Sequence, residues 1–333
     1  MAETCTLCLP RWPATERMSD LNPFRITWNR HNRTQWDGML AACKRPSLTQ
    51  TSTYALAVHE LQGMKADFGL IRFDNKPIGM IVAHGKPVFG APGSQTIYRG
   101  PVWVHDEIPG EMQKLALELL RKRYRLRNGR PVTFHPELTD TPGNRTQMAD
   151  AGFKRIADGY RTIWLDLSQS LEDLRAGQHQ NWCNALVQGE RNGLTVIDDT
   201  DCERLAWLTE RHTEHMELGG YRGASGGLLE ALRKHANETA GLRLLVAERD
   251  GTPVAGILLA THGSAATYLV GWTGEDGRDL RATHLLLWQA VELLKADGKL
   301  WFDLGGINDD APGVARFKGG MGGEEITLVG GYV

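Results

Sequence analysis

Apolar and polar residues fall into the same order twice along the chain. Phe68–Phe73 and Ile78–His84 are apolar arms around Asp74-Asn75-Lys76-Pro77, and Arg243–Arg249 and Val254–His262 flank Asp250-Gly251-Thr252-Pro253 in the same way. Such turn residues between apolar runs predict a β-hairpin in each place. A further strand follows each hairpin, within Thr96–Trp103 and again at Thr267–Trp272. Apolar positions at helical spacing come next: Met112, Leu115, Leu119 and Leu120, then Leu285, Leu286, Trp288, Val291 and Leu294. Gly129 and Gly298 punctuate the ends of these helices, and Pro131–Phe134 and Leu300–Asp303 predict short strands. Ala151-Gly152-Phe153-Lys154 then answers Ala315-Arg316-Phe317-Lys318. The landmarks keep one order about a domain length apart, which indicates an internal duplication.

Two helical stretches precede each hairpin, Thr34–Ala42 and Ser52–Gln62 in the first copy, Cys202–Met216 and Gly227–Asn237 in the second. The repeating unit is therefore α+β, a mostly antiparallel sheet flanked by helices. Between the copies, Leu171–Asn192 predicts a linker helix with Leu174, Trp182, Ala185 and Leu186 on its apolar side. Ser168 or Ser170 supplies its N-cap and Gly193 its stop. Residues 1–23 carry Pro10, Pro13 and Pro23 without periodicity and read as a flexible leader. The predicted domains are 24–165 and 166–333, the linker helix opening the second.

Composition narrows the classes. A chain of 333 residues that is 41% hydrophobic and 23% charged suits two soluble domains. No stretch approaches the ~18–20 apolar residues of a membrane-spanning helix. The start lacks a basic segment followed by an apolar run, and the five cysteines are odd in number and scattered, so reduced thiols in the cytoplasm are expected. Thirty-eight basic against 40 acidic residues leave a net charge of −2, so any nucleic-acid partner must be held by a local patch. Cys5 and Cys8 form one C-x-x-C with no second pair at zinc spacing, and read as thiols in a tail. His212 and His215 share a helix face without a third ligand at obvious spacing, so no metal is expected.

The duplicated layout resembles a tandem of acetyltransferase-like (GNAT) domains, as in the Fem family of aminoacyl-tRNA-dependent transferases. Tyr268–Trp272, Leu285–Trp288, Phe302–Gly306 and Pro312–Gly319 followed by Met321-Gly322-Gly323 are similar to the family's C-terminal pattern. Tyr98-Arg99-Gly100-Pro101 resembles its Arg-Gly-Pro element, and Leu48–Thr51 with Tyr54 its helix opening. The resemblance implies a transferase that moves an amino acid from its tRNA ester to an amine, usually on a cell-wall precursor, without metal or bound cofactor. That chemistry asks for alignment of an amine against an activated ester and stabilisation of the oxyanion. No Ser/His/Asp or Cys/His nucleophile arrangement is apparent in the sequence, and none is needed.

Residue by residue, Phe317 and Lys318 match the Phe-Lys that the family turns toward the tRNA acceptor end, where a lysine binds phosphate and a phenylalanine stacks a base. Gly319 and Gly320, with Gly322 and Gly323, would let the nucleotide approach the backbone. The plainer reading is a strand-ending Phe, an exposed Lys and a turn, because Phe153-Lys154 holds the corresponding place in the first copy. Asp303 is expected to orient an amine or a tRNA hydroxyl, or else to cap a turn. The family's diphosphate clamp falls on Val58 and Cys183, neither of which neutralises a diphosphate. An acceptor without one, a small metabolite or a peptide amine, is therefore expected, held by Tyr221 and Arg222 in a glycine-rich loop, by Arg191 and by Arg99. One rival is an acyl-CoA-dependent N-acyltransferase on the same fold, with acetyl-CoA as donor. The places for its pyrophosphate loop, Val104–Glu111 and Thr273–Thr283, lack the required glycine spacing. Another is a non-catalytic binding partner; the ten tryptophans suit either a core or an apolar cleft.

Overall fold

The structure, a computed structural model, describes residues 24–88, 93–105, 108–125 and 129–333. The leader and its Cys5-x-x-Cys8 lie outside the described residues. The first half runs β1 (Phe24–Trp28), α1 (Arg33–Ala41), α2 (Ser52–Gln62), β2 (Lys65–Phe73), β3 (Lys76–Gly85) and β4 (Gln95–Gly100). It continues through β5 (Val102–Trp103), α3 (Gly110–Arg123), β6 (Val132–Pro136), α4 (Pro142–Asp150), β7 (Arg155–Ala157) and β8 (Arg161–Asp166). Then come α5 (Leu171–Ala176), α6 (Gln180–Arg191), β9 (Thr195–Asp199), α7 (Leu205–Gly219), α8 (Gly226–Lys234), β10 (Ala240–Arg249), β11 (Thr252–His262) and β12 (Ala265–Thr273). The chain closes with α9 (Glu275–Asp279), α10 (Ala282–Ala296), β13 (Trp301–Asp303), α11 (Pro312–Gly319), β14 (Glu324–Thr327) and β15 (Gly331–Tyr332).

Both hairpins form where the sequence places them. Each turns through two residues of positive φ, Asp74 and Asn75 in one, Asp250 and Gly251 in the other. That conformation matches the twist of the flanking strands, which is why Asp, Asn and Gly stand there. The predicted linker helix is instead two, α5 capped by Ser170 and α6 starting after His179. The break is occupied by the chain's own tail. His179 N–H donates to the Gly320 carbonyl at 2.9 Å, and a Cβ on Gly322 would stand 2.6 Å from the Gly177 carbonyl.

Two sheets result, and each borrows a strand from the other half. The first orders β1-β2-β3-β4-β6-β15-β7, with β5 on β3; the second orders β14-β8-β13-β12-β11-β10-β9. Thus β8 lies between β13 and β14, while the C-terminal β15 lies between β6 and β7. A cut at residue 165 would pass through β8 itself. The exchange is packed as well as hydrogen-bonded. Val329 and Tyr332 join Ile81, Leu117, Leu120 and Phe134 in the first core, and Ile163, Leu165 and Leu167 join Leu245, Leu286 and Phe302 in the second. A smaller contact, Ala57 of α2 against Ala231 and Leu232 of α8, also joins the halves. Tyr332→Ala at this far end should cost about 3 kcal/mol of whole-chain stability in a denaturant titration, as a buried aromatic in a first-half core would. A loss below about 0.5 kcal/mol would mean that the exchanged strand is peripheral.

Candidate active site

The copies differ in how the strand after each hairpin pairs with the next. In the first, β4 and β6 pair in parallel from Gln95↔Val132 to Gly100↔Pro136, nearly the full length of both. In the second, β12 and β13 pair only at Ala265↔Trp301, Ala266↔Phe302 and Thr267↔Asp303. Beyond these pairs β12 runs on to Thr273 while the other strand turns away, leaving a wedge between them. A β-bulge at Leu258/Leu259 bends β12 beside the wedge. Gly305 makes the turn possible: its φ is +74°, and a Cβ there would stand 2.6 Å from the Tyr268 carbonyl and 3.4 Å from Lys318 Nζ.

Lys318, on α11, reaches into this wedge. Its side chain is buried, Nζ donates to the Gly306 carbonyl at 2.9 Å, and the ammonium lies 5.4 Å from the Tyr268 ring centre. Burial pushes its pKa down to about 8, against the pull of Asp303. An ammonium has three N–H donors, so two remain beyond the Gly306 bond. Phe317 beside it packs with His284 of α10, ring centres 5.0 Å apart, and with Trp182 of α6 at 6.3 Å. Trp182 and His284 are themselves 5.0 Å apart. Burial and then Arg281 lower the His284 pKa to about 4, so the imidazole stays neutral in this aromatic wall. Trp182 Nε1 and both polar atoms of the Gln178 amide are buried without a hydrogen-bond partner among the described residues.

Asp303 closes the base of the wedge and is fully buried. It accepts from Arg99 Nη1 at 2.5 Å, from the Gly305 N–H at 2.9 Å and from the Thr162 hydroxyl. Burial works against its charge, but Arg99 and these donors hold its pKa below the usual carboxylate range. Arg99 in turn grips Glu137 with two bonds of 2.8 Å. It does so from a left-handed backbone, φ +49°, a strained setting for a non-glycine residue. The triad Glu137–Arg99–Asp303 ties the first half to the second directly beneath the wedge. Tyr160 lies over it, 5.0 Å from the Arg99 guanidinium, with its ring against Gly306.

The sequence-predicted residues thus divide. Lys318, Phe317 and Asp303 come together. Arg99, assigned to the acceptor, joins them through its side chain, which Asp303 and Glu137 engage. What approaches the tail glycines is the protein itself: a Cβ on Gly320 would stand 2.7 Å from the Trp182 ring. Tyr221 is exposed and shares a 3.0 Å hydrogen bond with His215 Nδ1. Burial, and then the Tyr221 phenol, raise the Tyr268 phenol above its ordinary pKa. Arg222 in the same loop is exposed. Arg191 ends α6, nine residues and roughly 14 Å along the helix axis from Trp182, and does not join the cluster. Val58 is buried and Cys183 half-buried. His212 is buried, while His215 is exposed and engaged by Tyr221. The sequence did not signal Tyr160, Thr162, Gln178, Glu137 or His284, which sit at unrelated spacings and meet only in three dimensions.

The expected correspondence of Phe153-Lys154 with Phe317-Lys318 does not hold in space. Both α4 and α11 open on Pro-Gly, at Pro142-Gly143 and Pro312-Gly313. Counting from there, Lys318 falls on Met148, which is fully buried in the first core, while Lys154 lies beyond α4 and is exposed. Phe317-Lys318 is helical, not the end of a strand. The segment before α10 is occupied by α9, whose Gly277 leaves room for Val254: a Cβ there would stand 2.3 Å from its carbonyl.

A family model described as an acetyltransferase (GNAT) domain matches residues 184–319. Among solved structures the chain is similar to FemX, with a TM-score of 0.76 at 16% identity, covering 92% of this chain and 96% of that one. It is also similar to a conserved protein of unknown function from Bacteroides thetaiotaomicron, TM-score 0.55 at 12% identity, covering 92% and 98%. No curated protein matches the sequence. The fold is a Fem-like tandem of two GNAT-like domains, each a mixed, mostly antiparallel sheet flanked by helices.

Proposed function

We propose that this chain is an acyltransferase that moves an aminoacyl group from a tRNA ester to an amine, forming an amide. The observation that carries the reading is Lys318: a buried ammonium at the open wedge of the second copy, where the first copy has Met148 and a zipped sheet. An ammonium is costly to bury without purpose. In this reading the 3′ end of the RNA lies along the Trp182–His284–Phe317 wall, its base stacked on rings that carry no charge. The ester carbonyl faces the two spare Lys318 N–H groups, which stabilise the developing oxyanion. The acceptor's neutral amine attacks the carbonyl carbon, the C–N bond forms, the ester C–O bond breaks, and the proton lost by the amine goes to the departing ribose oxygen. Nothing in that balance requires a side-chain nucleophile.

On the acceptor side, buried Val58 and half-buried Cys183 favour an amine without a nucleotide diphosphate, approached past Tyr221 and Arg222. Single-turnover transfer from a pool of charged tRNAs to candidate amines tests the reading, run beside acetyl-CoA. Amide formation that needs charged tRNA is expected. Acylation driven by acetyl-CoA alone, or binding of charged tRNA with no transfer to any amine, would replace it with one of the two rivals.

A further inference from the structure

The chain is nearly neutral, yet Leu119–Pro136 carries six cations and no carboxylate: Arg121, Lys122, Arg123, Arg125, Arg127 and Arg130. All but Arg127 lie among the described residues. Three of them, Arg121, Lys122 and Arg123, occupy the last turn of α3, where the helix dipole favours positive charge. Asp67 of β2 meets Arg123 at 2.9 Å and Arg130 at 3.1 Å, and the Arg123 guanidinium lies 4.1 Å over the Trp28 ring. Asp67 and Glu118, the latter one helical turn before Lys122 on α3, are outnumbered by the five described cations, so the surface stays net positive. Ile26, Trp28, Leu119, Lys122, Arg123 and Arg130 line a cavity of about 540 Å³ here.

The position matters as much as the charge. The run leads into β6 at Val132, and β6 ends at Pro136 beside Glu137, the residue that holds Arg99 under the wedge. Five strand residues span roughly 17 Å. The basic surface and the wedge therefore stand toward opposite ends of one rigid strand, a separation that one extended polyanion bridges.

We propose that this surface binds the phosphate backbone of the RNA that delivers the acyl group, away from its reacting end. The proposal rests on the reading of a tRNA donor. A lipid surface fits less well: among the described residues, none of the exposed large apolar side chains belongs to Leu119–Pro136. An array of cations whose apolar neighbours, Ile26, Trp28 and Leu119, are half-buried rather than exposed suits a solvated backbone.

The test uses the full chain and uncharged tRNA. Lys122→Gln/Arg125→Gln leaves Asp67 with its partners. It should weaken tRNA binding about tenfold near physiological salt and reduce the slope of log K against log salt by about 1.5–2. Lys122→Glu alone serves as a second variant, and thermal melts confirm that both fold. In transfer assays the double variant should raise KM for charged tRNA with kcat unchanged, and leave transfer from an aminoacylated terminal trinucleotide as it was. Unaltered affinity and salt slope would overturn the proposal even if Lys318→Ala abolished transfer. Loss of salt-sensitive tRNA binding in a protein that transfers nothing would support the surface while removing the wedge reading. Capture by phosphatidylglycerol vesicles with no binding of tRNA, or binding of neither, would overturn it.

Discussion

Lys318→Met should lower single-turnover transfer by about two to three orders of magnitude while making the protein more stable at pH 7. The loss is that expected for one oxyanion donor in a water-poor site. The gain follows from the cost of burial: the Lys318 pKa lies near 8 in the folded chain against 10.5 ordinarily. Between those values the unfolded chain holds a proton that the folded chain has lost, so wild-type stability rises with pH across this window. Below about pH 8 the penalty is fully present. It amounts to about 3 kcal/mol at most, of which a well-packed methionine should recover roughly 1–3. The first copy already places Met148 there. Denaturant titrations at pH 7 and pH 10 check the sign: the variant's advantage should shrink at the higher pH. In activity, a rate that needs the ammonium falls as pH rises through about 8. Lys318→Arg, where it retains activity, should carry that alkaline limb upward. Full activity in Lys318→Met would detach the wedge from the reaction.

That contrast between Lys318 and Met148 marks how far the sequence could be read. The duplication was legible because hairpins and their turns are local: Asp74-Asn75 and Asp250-Gly251 fix both register and hand without help from distant residues. The helices before each hairpin, α2 above all, followed from apolar spacing for the same reason. What misled was the match of Phe153-Lys154 to Phe317-Lys318. Four similar residues aligned by composition, whereas the helix starts at Pro142 and Pro312 align by structure, and the two registers differ by six positions. The exchange of β8 and β15 left no local trace, since a short apolar strand reads the same in either sheet. The linker helix was read through a break imposed from outside, by Gly320 and Gly322 more than a hundred residues away. Nor could spacing join Arg99 to Asp303. The residues most exposed to such long-range effects are those of the wedge, which forms where the second copy departs from the first.

Arg99→Met is the substitution expected to cost most in stability, about 3–5 kcal/mol. It removes the guanidinium bonded to Asp303, leaving that fully buried carboxylate with only the weaker pull of the Lys318 ammonium, and leaves Glu137 facing the same gap. Asp303→Asn should cost less, because the amide oxygen still accepts from Gly305 and Thr162 while Arg99 keeps Glu137. The double variant should cost clearly less than the sum of the two, the mark of a coupled pair. Acid sensitivity separates this from simple loss of packing. With its pKa held below the usual value, Asp303 contributes stability above the ordinary carboxylate range, and that contribution disappears as pH falls through the depressed folded value. In Arg99→Met the depression should vanish and Asp303 should protonate at higher pH, so that the variant's deficit narrows in acid rather than widening. Because Asp303 also holds the Gly305 N–H that shapes the wedge, transfer should fall in the same variant. The more conservative Arg99→Lys should restore part of the stability but less of the rate, since a lysine cannot bond both carboxylates in the arginine's planar geometry. Additive costs across the Arg99 and Asp303 pair would show instead that each residue is held by its own half of the chain, and that the two halves meet at the wedge without being coupled there.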